Sequence, residues 1–212
     1  MSKLKIRRRE QVMEKLSGYL PDGFEEMVAG LIFEYPVRFK IVRPRTSKLG
    51  DFRPPHREEK ARITVNGNLN QYSFLITTLH EFAHYHTFLE YGNRVKAHGE
   101  EWKMAYRKLL LPLIESEVIP EGIKNALENS LIRTKASSCS DIPLMRELKK
   151  YDQQRDGLVF LEEIPKNSVF LLNGRQFLKG ELRRKRYLCH EITTKKQYLV
   201  HALSEVRLNE KE

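Results

Sequence analysis

The sequence predicts an α+β protein in two parts. Over residues 1–152 the apolar period is helical, becomes strand-like, and turns helical again; after Gly157 only short β-type runs remain. Between these regions, the polar stretch YDQQRDG at residues 151–157 suits a linker. The expectation is one larger α+β domain over residues 1–152 and a small antiparallel β domain over residues 153–212.

The first helix is expected over Lys3 to Leu20, with Leu4, Val12, Leu16 and Tyr19 as its apolar stripe and LPDG as its stop. A second follows over Phe24 to Glu34. In PVRFKIVRP the period drops to two: Val37, Phe39 and Ile41 share one face, Arg38, Lys40 and Val42 the other. TSKLGDFRPP reads as a turn or a second strand. ARITVNG alternates again, with Ile63 and Val65 facing one way and Arg62 and Thr64 the other, and Asn66-Gly67 marks its end. From Asn70, a plausible N-cap, a helix runs through Phe74, Leu79, Phe82 and Phe88 to a stop at Gly92. Another helix is expected from near His98 to about Pro112, and short ones over Ile123 to Leu131 and Ile142 to Tyr151. GLVFLEEI, SVFLLNG, RQFLKG, RRKRYLCHEIT and KQYLVHALSEV supply the β domain.

Composition narrows the function classes. With 212 residues and 40% hydrophobic content, the chain can bury a sizeable core, and no internal repeat or low-complexity tract is visible. No apolar run nears the roughly 18 to 20 residues that cross a bilayer, so no membrane partner is expected. The basic start, MSKLKIRRREQV, is followed by no apolar cleavage segment, so no secretory signal is expected. Cys139 and Cys189 stand alone rather than in CxxC pairs, which fits reduced thiols and a cytoplasmic location. Net charge is +10. Its clusters are Lys3 to Arg9, Arg38 to Lys48, and Arg183 to Arg186 with Lys195 and Lys196. They lack interleaved aromatics, so they read first as solvated faces and second as nonspecific DNA contacts.

The chemistry concentrates in TTLHEFAHYHTF, residues 77–88. His80 and His84 lie four apart, on one face of a helix and about 6 Å apart along its axis. Both imidazoles can therefore reach one ion at about 2.0–2.1 Å, the zinc–nitrogen distance. Glu81, rotated by about 100°, lies beside the pair, in position for a water rather than for the metal. This is the mechanical content of HExxH: two ligands and a general base on one rigid element. A catalytic zinc takes a third protein ligand and leaves the fourth position to water. The candidates are His56, His86, His98, His190, His201 and the acids. His86 points elsewhere on the helix. His98 is the better choice, because the six steps from Gly92 can return by up to about 20 Å, and Gly99 permits close backbone approach. An apolar helix that merely carries hydrogen-bonded histidines remains the plain alternative.

With these residues in view, ARITVNGNLNQYSFLITTLHEFAHYHTF followed by YGNRVKAHGEEWKMAYRKL resembles the SprT-like metallopeptidases. The likeness covers about residues 24 to 115. HExxH followed at this distance by HGxxW carries it. The resemblance implies a zincin-like fold, one zinc ion held by His80, His84 and His98, and Glu81 as general base and acid. It implies hydrolysis of peptide bonds in protein substrates, in some relatives proteins crosslinked to DNA. Many relatives add a ribbon with two CxxC pairs; here only Cys189 remains in the corresponding β segment, so a second zinc is not expected.

In that reading Glu81 takes a proton from the attacking water and passes it to the leaving amine. The oxyanion donor stays open among Tyr85, His86, Tyr91 and Arg94. Glu100 or Glu101 is a candidate to orient a ligand histidine. The substrate is expected extended, as a strand against the edge near residues 45 to 53. The rival reading is a basic nucleic-acid-binding scaffold with a structural or inactive zinc site.

Overall fold

A computed structural model describes residues 3–45, 47–132, 141–153 and 157–208. Cys139, and the middle of the stretch read as a linker, lie outside these, as do the side chains of Lys3 and Lys5 from the first basic cluster. The protein is α+β with two separate sheets, and it divides into two compact units, Met1–Asp152 and Gln153–Glu212.

The first unit opens with helices α1 (Lys3–Ser17) and α2 (Glu25–Glu34), continues with strands β1 (Val37–Val42), β2 (Gly50–Arg53) and β3 (Ala61–Asn66), and closes with α3 (Gln71–Tyr91), α4 (Glu100–Glu115), α5 (Glu121–Ile132) and α6 (Ile142–Lys149). The sheet order is β1-β3-β2, with β1 parallel and β2 antiparallel to β3. Val37, Phe39 and Ile41 turn to the core while Arg38 and Lys40 stay exposed, as the period-two pattern requires.

β3 alternates as expected, but both of its faces are largely covered. Five of its six residues are buried, because it lies between two neighbours. Its buried polar members, Thr64 and Asn66, are satisfied from the loop that leads into β2. Arg45 donates from Nη1 to Thr64 Oγ1 at 3.1 Å and from Nε to Asn66 Oδ1 at 2.9 Å. Asn66 returns two bonds from Nδ2, to the carbonyls of Arg45 at 3.1 Å and Lys48 at 2.9 Å. A residue that reads as a turn marker is thus a buried clamp on the loop before β2.

α3 forms the centre of this unit. Asn70 caps it by accepting from the Ser73 N–H at 2.9 Å, and its Nδ2 donates to the Leu148 carbonyl at 2.9 Å. Phe74, Leu75, Leu79, Phe82 and Ala83 are fully buried; each of the large side chains contributes on the order of 1.5–3 kcal/mol relative to exposure. Gly92 ends the helix at a φ of 63°, the left-handed region open to glycine.

Two expectations need correction. Leu4 is 80% exposed and takes no part in an apolar stripe; α1 docks through Leu16 and the residues near it. α4 does not stop at Pro112 but runs to Glu115, since burial of Leu113 holds its last turn against the core.

The second unit is an antiparallel sheet of β4 (Val159–Phe160), β5 (Val169–Leu172), β6 (Arg175–Arg183), β7 (Arg186–Glu191), β8 (Gln197–His201) and β9 (Glu205–Leu208). The order is β4-β9-β5-β6-β7-β8. Leu161, Ile164, Phe170, Phe177, Cys189, Val200 and Val206 form its core. Cys189 is a free, fully buried thiol whose pKa is pushed up by burial, so it acts as an apolar side chain. Lys179 is also buried: its ammonium donates to the Ile164 carbonyl at 2.5 Å and lies over the Tyr187 ring.

Candidate metal centre

α3 places His80 and His84 one turn apart, and the chain beyond Gly92 brings His98 back to them just before α4 begins. Ligand nitrogens of the three histidines all lie within 4.8 Å of one another. His80 Nε2 is 3.2 Å from His84 Nε2 and 3.3 Å from His98 Nε2. Ligands at about 2.0–2.1 Å around a tetrahedral ion stand about 3.3–3.4 Å apart. The two spacings from His80 are therefore those of a ligand set.

Burial acts on their protonation in the same sense. His80 is 5% exposed, and its pKa is lowered to about 3, first by burial and then by the neighbouring charges of His84 and His98. His84 is lowered to about 4 by burial and by His98, and His98 is lowered by burial. The rings are neutral at pH 7, which is the form that ligates. Trp102, in the first turn of α4, has its ring centroid 4.7 Å from those of His80 and His98 and 5.3 Å from that of His84. Tyr106 stacks behind it at 4.8 Å. These rings fix the imidazole planes from the apolar side.

Glu81 is 7% exposed and borders a cleft of about 480 Å³ shared with His84, His98, Gly50, Phe52 and Phe88. Its pKa is raised to about 7, chiefly by burial and next by the charge of Asp51. The Phe52 backbone N–H donates to the carboxylate and works against that rise, as do the charges of Arg45 and Lys48. A cation held by the imidazoles would lower it further by the same Coulomb argument. Gly50 stands so close that a Cβ there would meet Glu81 Oε1 at 2.6 Å and Thr77 Cγ2 at 2.8 Å.

The other sequence candidates fall elsewhere. His56 is exposed in a small bridge with Glu59. His86 lies against Tyr35, with ring centroids 4.8 Å apart. His190 and His201 belong to β7 and β8 of the second unit. None of Tyr85, His86, Tyr91 and Arg94 lines the cleft: Tyr85 is buried against Tyr35 and Phe52, and Arg94 donates to the Tyr91 carbonyl. Glu100 pairs with Lys103 at 2.6 Å on the exposed side of α4. Sequence reasoning missed Gly50, whose only signal was a glycine opening the strand GDFR. It also missed the contact of Trp102 with the histidines, which its place four residues after His98 foreshadowed.

Residues 32–117 match the model of the SprT-like family. The match spans the whole three-stranded sheet, α3 and α4, and so takes in every residue of the centre. Neither the curated proteins nor the solved structures give a match to this chain.

Proposed function

With residues 32–117 identified as SprT-like, we propose that this chain is a zinc-dependent metallopeptidase with a zincin-like core. The observation that carries the reading is the convergence of three neutral imidazoles beside a buried carboxylate at an open cleft. The donor set suits zinc: three imidazole nitrogens within 4.8 Å of one another, with His80 Nε2 at near-tetrahedral spacing from each of the other two. His80, His84 and His98 would hold the ion. Zinc, when bound, supplies Lewis-acid polarisation and lowers the pKa of a coordinated water.

The chain's own groups do the rest. Glu81 takes the proton of the attacking water and delivers it to the leaving amine. The Phe52 N–H holds that carboxylate, and the missing side chain at Gly50 leaves room for it. β2 is an edge strand bordering the cleft through Gly50, Asp51 and Phe52, so a substrate in extended form aligns along it as an added strand. That geometry selects unfolded or flexible protein segments over compact ones.

The test is metal content together with cleavage of an unfolded protein such as casein. The reading predicts about one zinc per chain, cleavage abolished by a chelator, and recovery on adding zinc. A chain that binds no divalent metal, or that cleaves equally well when stripped, would overturn it.

A further inference from the structure

The sheet of the first unit carries like charges in register. Arg38 of β1 is opposite Arg62 of β3, and Arg62 is opposite Arg53 of β2. Three guanidinium groups therefore form one row across three strands, on the face opposite Val37, Phe39 and Ile41. Like charges directly opposite one another are destabilising. Arg53 is paired with Asp51, while Arg38 and Arg62 make no ion pair among the described residues. The adjacent row starts with a further cation, Lys40, opposite Thr64.

β1 is an outer strand, and beyond its ladder to β3 no backbone hydrogen bond reaches residues 38–41 among the described residues. Such an edge is a template for another strand. A groove of about 480 Å³ runs beside it, between β1 and α1. Val12, Phe39 and Ile41 contribute its apolar lining and Arg8, Lys15 and Lys40 its charge; no acid lines it among the described residues.

We propose that the free edge of β1 takes up an extended peptide segment of alternating acidic and apolar residues as a fourth strand. Side chains of a strand alternate between faces. One set would lie beside Arg38 and Lys40 and bring carboxylates to the end of the arginine row. The other set would enter the apolar groove. Edge, charge and apolar lining are then satisfied together, whereas a nucleic acid would satisfy only the charge. A second copy of β1 is a poor partner, since it would bring its own Arg38 and Lys40 to the same face. The site lies at the opposite edge of the sheet from β2 and does not depend on the peptidase reading.

The experiment is fluorescence anisotropy with an end-blocked, labelled peptide alternating glutamate and valine. The protein is the full chain carrying Glu81→Gln, which removes turnover and leaves β1 untouched. Saturable binding is expected. It should weaken at least about tenfold in the double variant Arg38→Glu, Lys40→Glu, whose sites are exposed, and for a peptide N-methylated at alternate residues in one register, the one whose N–H groups face β1, but not in the other. Carbodiimide coupling of the peptide carboxylates should mark Lys40. The proposal is overturned if the peptide does not bind, if neither the double variant nor N-methylation weakens it, or if coupling falls only on Lys48 or Lys96. It is equally overturned if a single-stranded oligonucleotide binds more tightly than the peptide and loses that binding in the double variant.

Discussion

The carboxylate of Glu81 occupies the space into which a side chain on Gly50 would extend: a Cβ at residue 50 would stand 2.6 Å from Oε1 and 2.8 Å from Cγ. The edge strand and the HExxH helix meet with no atom to spare, so the position of the proposed base depends on a residue that does no chemistry. Gly50→Ala should therefore lower the cleavage rate by about a hundredfold, the scale of an ångström-level misplacement, while leaving zinc content unchanged. Rates on casein beside metal analysis check this; wild-type cleavage by the variant would free Glu81 from its dependence on β2.

Protonation gives a second test, on the metal-free protein. His80 and His84 have folded pKa values of about 3 and about 4, against 6.5 for free histidine. Between those values the unfolded chain binds more protons, so these residues make stability fall as pH drops below about 6.5. Glu81 has the opposite sign: raised from 4.5 to about 7, it keeps its proton longer in the folded state and weakens the fold as pH rises through that window. Glu81→Gln should therefore stabilise the metal-free chain at pH 8 by roughly 1–3 kcal/mol, with the two proteins converging near pH 4. Urea unfolding at both pH values measures the difference; equal stability at pH 8 would show that burial does not perturb Glu81.

The cap of the central helix gives a third. Asn70 accepts from Ser73 N–H and donates to the carbonyl of Leu148 and to Asp152. Asn70→Ala should cost about 1–2 kcal/mol in unfolding free energy. Zinc affinity should change little, since His80, His84 and His98 lie ten or more residues further along.

A fourth prediction concerns the second unit. Lys179 donates to the carbonyls of Ile164 and, at 3.4 Å, Glu162, and its ammonium is 4.0 Å from the Tyr187 ring centroid. Lys179→Ala leaves those carbonyls without their donor in a buried place, which should cost about 1–3 kcal/mol. Thermal or urea unfolding of the full chain, followed by the fluorescence of its β-unit tyrosines, checks it.

Much of the site was legible because it is local. His80, Glu81 and His84 lie within five consecutive residues of a long helix whose cap, Asn70, and stop, Gly92, are both visible in sequence. His98 needed only a reach argument across a short turn. Gly50, Asn66 and Arg45 were illegible in that role because their function is long-range. Arg45 holds Asn66 from 21 positions away, and Gly50 meets Glu81 across 31. No periodicity records such meetings. The alternation of β3 was legible, but the burial of Thr64 and Asn66 was not, because they are held by a loop whose course only the fold reveals. Pro112 misled for a related reason: local propensity argues for a stop, and burial of Leu113 overrides it.

The central claim is that Glu81 moves protons beside a metal it does not hold. The most direct measurement is a side-by-side determination of zinc content and cleavage of an unfolded substrate for the wild-type chain and Glu81→Gln. The account predicts equal zinc in both and cleavage lost by at least about a hundredfold in the variant. Equal cleavage by the two proteins, or loss of zinc with the substitution, would contradict it.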